Sequence, residues 1–414
     1  MTTKDDETAA HRLAAWAVAL APEPDDLRLA TTMLRDTVAV AVAGVDDDTI
    51  TPAIAAELAE SALLGALAHL LDYDDLHVPS TTHVSAVCVP AALVSGGDAA
   101  AYLAGAGVMS RLGTAMGWEH YTAGWHATCT AGAIGAAAAA ARAFGLDVEQ
   151  TAHAIALAVP ASGGVQRAFG TLAKPLQVGF AVEAGLRAAR LARAGARSDI
   201  ASVDAWMPLV GGDPDAIELT GPAVPGGLAV KLSPCCYALQ RPIHVTRTLR
   251  EQTRAGRDVA AIELRAPAAA VAPLLHHRPR TAMEGKFSLE YATAAALIGP
   301  PEGPLPFTEE WVMRDDIQRL IPLVRFIPDG KGSGLLDGEH QVAITLSNGE
   351  VLHASGAIPP GAPGLPPTAD ELAFKIRECC GELADDVEHS DWSNALGIVG
   401  SALAARGLTP STAA

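Results

Sequence analysis

The sequence predicts an α+β protein in which a large all-helical part precedes a smaller part that mixes helices and strands. Residues 8–220 repeat apolar side chains at three- and four-residue spacing, which is the period of amphipathic helices. Beyond the segment LTGPAVPGG, short runs alternate apolar and polar residues, as half-buried strands do. Half of the 414 residues are apolar, so two or three domains can each bury a core.

The predicted elements follow in chain order. Helices are predicted for the segments RLATTMLRDTVAVAVAG, AAAYLAGAGVMSRLGTAM, AGAIGAAAAAARAFG and DVEQTAHAIALAV. The last one begins at Asp147 with Gln150 three residues later, which is typical of a capping box. VAAIELRAP and IPLVRFI are predicted strands, and HQVAITLSNGEVLHASG is a predicted hairpin because it alternates on both sides of Asn348-Gly349, a strong hairpin signal. A connector rich in Pro and Gly leads to a last predicted helix, TADELAFKIRECCGEL, which either stands apart or rejoins the first domain.

Composition excludes several classes of function. The formal net charge is -18, and no cluster of Lys and Arg offers the positive surface that nucleic-acid binding requires. The longest uncharged run, residues 121–141, consists mostly of small residues and contains His126, so no membrane span is expected. The charged N-terminal residues do not resemble a signal peptide, so a cytoplasmic protein is predicted. No C-x-x-C spacing occurs, so the cysteines predict neither zinc nor iron–sulfur ligation.

Lysine is scarce beside arginine, so each lysine with apolar neighbours is informative. Lys174 precedes Pro175, and Lys231 precedes Ser233-Pro234; in both segments a helix is predicted to begin at the proline. Because free N–H groups and the helix dipole attract anions, the two lysines predict a site for carboxylate or phosphate. The alternative is two surface lysines at loop ends. Lys286 also has apolar neighbours, whereas Lys4, Lys331 and Lys375 stand in polar or terminal contexts.

The segment HLLDYDDLHVPSTTH, residues 69–83, interleaves acids and histidines with large apolar side chains. His83, close to the hydroxyls of Thr81, Thr82 and Ser85, and His126, at the entry to a buried helix, are candidate general acids or bases. Asp72 is the acid predicted to be buried and to orient a histidine. Asp74 and Asp75 are expected to cap a helix or to meet solvent. His69 is expected to be a hydrogen-bonded core histidine, and His340 to lie at the surface.

The residues resemble the MmgE/PrpD family, which includes 2-methylcitrate dehydratase, cis-aconitate decarboxylase and iminodisuccinate epimerase. The resemblance is carried, in the family's order, by LLDYDDLHVPSTTHVS, HYTAGWHATCTAGAIGAAAAAARAFGLDVEQ, FGTLAKPLQVGFAVEAGLRAARLARAG, KLSPCCYALQRPI and EGKFSLEYATAAAL. It implies a helical domain over residues 1–226, an inserted α+β lid over 227–363 and a return to the helical domain over 364–414. It also implies a homodimer without metal or cofactor. The implied pocket contains Asp72, His83, His126, Lys174, Lys231 and Tyr291.

The chain departs from the family pattern at three positions. Leu76 stands where several members have a threonine, which removes a hydroxyl from the implied substrate-binding wall. Val84 replaces a usual proline, and Gln177 stands where a histidine is common in the pattern KP-x-H. Because of these departures, the resemblance does not determine the identity of the substrate.

The function implied by the resemblance is a lyase that moves a proton at the carbon next to a carboxylate. It would dehydrate a 2-methylcitrate-like acid or decarboxylate a cis-aconitate-like acid, with Lys174 and Lys231 binding substrate carboxylates. His83, His126, Asp72 and Tyr291 would supply acid–base chemistry. An epimerase of the iminodisuccinate type is the first alternative, and a non-catalytic carboxylate-binding member is the second.

Overall fold

The computed structural model describes residues 8–301, 303–330, 334 and 338–408, and it divides into two compact units. The first unit contains the chain up to Leu228 and again from Ile376 onwards, and the second contains Ala229–Lys375. The chain is 57% helical with one small mixed sheet, so the predicted α+β fold with a large helical domain is confirmed. The predicted domain boundaries at residues 226 and 363 stay predictions.

The strands of the described residues all lie in the second unit, whereas helices occur in both units. Within the described residues the helices are α1 (Ala9–Ala19), α2 (Pro24–Val45), α3 (Thr51–Ala55), α4 (Glu60–Leu70), α5 (Ser85–Val94), α6 (Ala99–Thr122), α7 (Ala127–Ala143), α8 (Val148–Ala158), α9 (Ala173–Arg193), α10 (Ser202–Trp206), α11 (Gln240–Arg247), α12 (Ala282–Gly285), α13 (Leu289–Ile298), α14 (Glu309–Val312), α15 (Asp315–Leu320), α16 (Ala369–Cys380), α17 (Ala384–Glu388) and α18 (Ala395–Ala405). The strands are β1 (Val259–Ala266), β2 (Val324–Pro328), β3 (His340–Leu346) and β4 (Val351–Gly356). Among the described residues, no helix combines the length and apolar character needed to cross a bilayer.

The core of the first unit lies around α7, which packs against α6 and α9, while α9 also packs against α4. Small residues allow these helices to approach closely. A Cβ atom on Gly179 would lie 2.1 Å from the backbone oxygen of Ala62 in α4, and one on Gly185 would lie 2.4 Å from Cβ of Ala136 in α7. Only glycine fits such a contact without displacing backbone. Three helices are therefore held at fixed short distances, and their ends carry the side chains described below.

The second unit is built on a four-stranded sheet with the order β2-β1-β3-β4. β1 pairs in parallel with β2 and antiparallel with β3, and β3 pairs antiparallel with β4. The predicted hairpin is present: Leu346 N–H donates to Glu350 O at 2.8 Å, so the turn is the three-residue loop 347–349, in which Gly349 has φ +88°. α11 packs against β3 and β4, and α13 packs against β2. Alternate side chains of β1 and β3 are buried, including Ile262, Leu264 and Val342.

Two local predictions for the second unit, the helix start at Pro234 and the surface position of His340, are wrong. No α-helix begins at Pro234; the next helical residues form a short turn over Tyr237–Leu239, followed by α11. The side-chain amide of Gln240 instead contacts the backbone of this segment, accepting from Leu232 N and donating to Ser233 O. Both Lys375 and His340 are 1% exposed, and burial lowers the pKa of His340 to about 3. Lys4 and Lys331 lie outside the described residues.

Candidate functional site

The segment that links α4 to α5 carries most of the candidate polar residues. α4 is buried along its length from Ser61 to Leu70, and His69 lies in its last turn. The helix ends before Asp72, whose φ of +53° places it in the left-handed region. Aspartate tolerates this region better than most residues that carry a Cβ atom. Every residue from Asp72 to His77 is buried, so the acids of this segment must be accommodated inside the protein.

Asp72 forms a buried ion pair with Lys174. The Nζ atom lies 3.0 Å from Asp72 Oδ2, and both side chains are 4% exposed. Lys174 is the second residue of α9, so it lies at a helix N-terminus as predicted. A cation is unfavourable there because it faces the positive end of the helix dipole, and the Asp72 carboxylate offsets this cost. The lysine Nζ also lies 5.2 Å from the centre of the Phe169 ring.

Three histidine rings lie together beside this ion pair. The ring centres of His69 and His83 are 4.5 Å apart, those of His69 and His126 are 5.7 Å apart, and those of His83 and His126 are 6.4 Å apart. His69 comes from α4, and His126 immediately precedes α7. The structure thus brings together four residues that the sequence predicts for the pocket, Asp72, His83, His126 and Lys174, and it adds His69.

Asp74 contacts two of the three rings. Its Oδ2 atom accepts a hydrogen bond from His69 Nδ1 at 2.7 Å and lies 3.1 Å from His83 Nδ1. The expectation that Asp74 caps a helix or meets solvent is wrong, because the residue is 0% exposed. The sequence predicts that Asp72 orients a histidine, but Asp74 is the acid that contacts His69 and His83. A signal for this was present: a buried histidine such as His69 on an apolar helix needs a polar partner close by.

Burial keeps two of the histidines neutral. It lowers the pKa of His69 to about 3, and the nearby Asp74 opposes this shift. It also lowers the pKa of His126 well below the usual value, and the neighbouring His69, Lys174 and His83 lower it further. Both rings are therefore uncharged at neutral pH.

Asp75 has a different environment from its neighbour Asp74. Its carboxyl oxygens accept from the backbone N–H of Ser85 at 3.1 Å and from the Ser85 hydroxyl, at the start of α5. The capping part of the expectation is therefore right for Asp75, but the residue is 1% exposed. Burial raises the pKa of Asp75 to about 7, although the hydrogen bonds from Ser85 lower it.

The Asp75→Asn variant is expected to change how stability depends on pH. The folded protein keeps the Asp75 proton up to about pH 7, whereas the unfolded chain releases it near pH 4. The folded state therefore binds more protons between these values, and this group lowers the free energy of unfolding as pH rises from about 4 to 7. Relative to wild type, the variant should gain on the order of 3 kcal/mol between pH 4.5 and pH 8. Urea unfolding at both pH values measures this difference, and parallel profiles for the two proteins would contradict it.

The remaining polar groups of the 76–84 segment stabilise the loop itself. His77 donates from Nε2 to the backbone oxygen of Pro225 at 2.6 Å and accepts at Nδ1 from the Ser80 hydroxyl. The Thr82 hydroxyl contacts Ser80, and the Thr81 hydroxyl donates to the Ser80 backbone. The hydroxyls of Thr81, Thr82 and Ser85, which are close to His83 in the sequence, thus bind other groups, and Asp74 faces the His83 ring. Leu76 and Val84, which are two of the positions that depart from the family pattern, are buried in the same segment, with 3% and 0% exposure.

The other predicted residues, Lys231 and Tyr291, lie in the second unit, together with Lys286. Lys231 is 0% exposed and lies next to Val230, whose N–H donates to Gly361 O at 2.8 Å. Tyr291 is buried in α13, and its hydroxyl donates to the backbone oxygen of Pro306 at 2.5 Å. Burial raises the pKa of Tyr291 above its usual value. To act as a proton donor to a ligand, Tyr291 would have to give up its hydrogen bond to Pro306.

His69, Asp74 and His83 are also close enough to hold a metal ion. Among the described residues, their ligand atoms lie within 4.8 Å of one another, and two nitrogens with a carboxylate oxygen suit zinc or other transition metals. The hydrogen bond between His69 and Asp74 accounts for the same arrangement without a metal. The sequence-based expectation of a metal-free protein stays a prediction.

Chelation is expected to leave the protein unchanged. Dialysis against EDTA should alter neither turnover nor melting temperature, whereas excess Zn²⁺ should inhibit because it would bind one ring nitrogen of each of His69 and His83 and an oxygen of Asp74. Activity assays with metal analysis by mass spectrometry test both statements. Loss of turnover on chelation, with recovery on adding back one metal, would show that the protein is a metalloenzyme.

Comparison with known proteins decides the family. Models of the MmgE/PrpD N-terminal domain and the MmgE/PrpD C-terminal domain match residues 58–205 and 233–394, which together are most of the chain. The chain belongs to the MmgE/PrpD family. This MmgE/PrpD protein is also 31% identical over 154 residues to a cis-aconitate decarboxylase-like protein, oryM, of Aspergillus oryzae. That match covers 33% of this chain and 32% of the relative, so it spans about a third of either protein.

Proposed function

We propose that the protein is a lyase that acts on a di- or tricarboxylate by proton transfer at the carbon next to a carboxylate. The observation that carries the proposal is the buried Lys174–Asp72 ion pair beside three histidines. A buried lysine can pair with a substrate carboxylate and with the negative charge that develops on the carbon next to it. Membership of the MmgE/PrpD family supports a dehydratase or decarboxylase type of enzyme.

Both candidate reactions need the groups that the cluster contains. In a dehydration, a base removes a proton from the carbon next to a carboxylate, and the hydroxyl leaves as water after an acid protonates it. In a decarboxylation, the bond to one carboxylate breaks, carbon dioxide leaves, and the electron pair that remains on carbon takes up a proton. Two histidines that are 6.4 Å apart, His83 and His126, supply a base and an acid in either case.

An epimerase is the alternative function, and one observation favours it. An epimerase removes a proton from one face of a carbon and returns it to the other face, so it needs two acid–base groups around one atom. His83 and His126 approach each other at a suitable distance for this.

The proposal has further parts. We propose that the protein is a homodimer, that it works without a cofactor and that it is cytoplasmic. We also propose that Lys231 and Leu76 contribute to substrate binding.

Proton NMR in deuterated water tests the proposal. The protein is incubated with citrate, 2-methylcitrate, cis-aconitate and an iminodisuccinate analogue, and Lys174→Ala serves as the control. New alkene signals or released carbon dioxide support the lyase, while deuterium uptake into an otherwise unchanged substrate supports the epimerase. If nothing turns over but citrate or another acid binds, the protein is a carboxylate-binding member without catalysis.

A further inference from the structure

Gln177 connects the ring of His126 to the backbone of one loop. It lies in α9 one turn beyond Lys174. Its Nε2 atom lies 2.7 Å from His126 Nδ1, and its Oε1 atom accepts from the backbone N–H of Val165 at 3.0 Å. Because a backbone N–H can only donate, the oxygen of the Gln177 amide must face Val165. The orientation of the amide is therefore fixed, and its nitrogen faces His126.

This orientation determines which nitrogen of His126 carries hydrogen. An amide nitrogen donates and does not accept, so His126 Nδ1 must accept. The thiol of Cys129 lies 3.2 Å from the same Nδ1 atom, and burial raises the pKa of Cys129, so the thiol keeps its hydrogen and can also donate. A hydrogen on Nδ1 would oppose these donors. The neutral ring therefore carries its hydrogen on Nε2.

The loop that holds Gln177 in place is itself tightly packed. The backbone N–H of His126 donates to Gly164 O at 3.0 Å. Gly164 has φ +97°, and a Cβ atom there would lie 2.5 Å from Cβ of Cys129. Glycine is thus required at this position, because a side chain would push the loop away from Cys129 and Gln177.

The hydrogen on His126 Nε2 points to a role in the reaction. His126 is 2% exposed, and within the part of the chain that the structure describes no hydrogen-bond partner contacts its Nε2 atom. A buried donor without an acceptor is costly in free energy, and a substrate oxygen or a developing negative charge would satisfy it. His83 is arranged in the opposite way, because its Nδ1 atom lies 3.1 Å from Asp74. A carboxylate at that distance favours hydrogen on Nδ1 and leaves Nε2 as a base.

We propose that Gln177 is a positioning residue that holds His126 as a hydrogen donor through Nε2 and so leaves the role of base to His83. The inference rests on the proposed function and deepens it, because it assigns the acid and the base.

The test combines a tautomer measurement with kinetics. Protein labelled with ¹⁵N-histidine is studied by long-range ¹H–¹⁵N NMR, and a His126→Asn variant identifies the His126 signals. In wild type, Nε2 is expected to carry hydrogen and Nδ1 none. In Gln177→Glu the carboxylate accepts, so the hydrogen moves to Nδ1, and kcat falls roughly 100-fold while KM changes little. The control Gln252→Glu adds the same charge at an exposed position and is expected to leave both measurements unchanged.

The two arms separate this inference from the proposed function. A hydrogen on Nδ1 in the wild type overturns the inference whatever the activity, as does a Gln177→Glu enzyme with wild-type kcat. If no acid turns over, the proposed lyase function is wrong, but NMR of the citrate complex still tests whether His126 acts as a hydrogen donor. A downfield shift of the His126 Nε2 hydrogen on binding citrate, absent in Gln177→Glu, supports the donor role, and an unshifted signal contradicts it.

Discussion

The Lys174→Met variant is expected to lose turnover by more than about 1,000-fold and to lose about 3–5 kcal/mol in the free energy of unfolding. The stability loss follows because the substitution removes the cation that lies 3.0 Å from the buried carboxylate of Asp72. The activity loss follows because the positive charge that pairs with a substrate carboxylate is also gone. Chemical unfolding and the NMR assay measure the two effects separately.

A second substitution separates stability from chemistry. Asn at position 72 still tolerates the left-handed backbone, which has φ +53°. The double variant Asp72→Asn/Lys174→Met removes both charges, so it should regain most of the stability but none of the turnover. Arg187→Met is the matched control on α9, because it removes an exposed pair with Glu183 at 3.3 Å and should change stability by less than about 0.5 kcal/mol. An active Lys174→Met enzyme would refute the proposed role of this lysine.

The Asp74→Asn variant is expected to lower kcat by roughly 100- to 10,000-fold, with KM nearly unchanged. The Asp74 carboxylate accepts from His69 and faces Nδ1 of His83. An asparagine can turn its amide nitrogen towards these atoms, which reverses the direction of donation and places hydrogen on the nitrogen that should act as the base. Steady-state kinetics over a range of substrate concentrations separates kcat from KM.

The neighbouring carboxyl is the matched control for this experiment. Asp75→Asn changes a residue of the same type and burial, but its contacts are with Ser85 rather than with a histidine. Its kcat is expected to stay within about threefold of wild type, since acid–base groups are untouched. Equal losses in both variants would indicate that the segment responds to any substitution, and the specific role of Asp74 would be wrong.

Local signals in the sequence were sufficient for most of the fold. The capping box formed by Asp147 and Gln150 is present at the start of α8, because its atoms lie within one helical turn. The Asn-Gly turn between β3 and β4 is equally local. The alternation in β3 also indicates the position of His340, since this residue shares a face of the strand with the buried Val342 and Ile344. The prediction that His340 lies at the surface was wrong because it relied on the polar character of histidine and not on the position of the residue in the strand.

Contacts between distant parts of the chain account for the errors. The choice of Asp72 as the partner of a histidine assumed that the helical face of α4 continues beyond Leu71. The positive φ of Asp72 breaks that continuation, so its side chain meets Lys174, about a hundred residues later, and Asp74 meets the histidines. Ser233-Pro234 is a good helix start by local rules, but the amide of Gln240 binds the backbone there and prevents it. Spacing along the sequence carries no information about such partners.

The contact between Gly179 and the backbone of Ala62 joins the two helices that carry Lys174 and His69. Because neither helix can move without breaking this contact, the charges and dipoles at their ends are oriented before any ligand arrives. The energy needed to reorganise the surroundings during a reaction is then small, which is how preorganised sites accelerate proton transfer. The same rigidity limits adaptation, because a change in the site would have to arise through substitution of side chains rather than through movement of the helices.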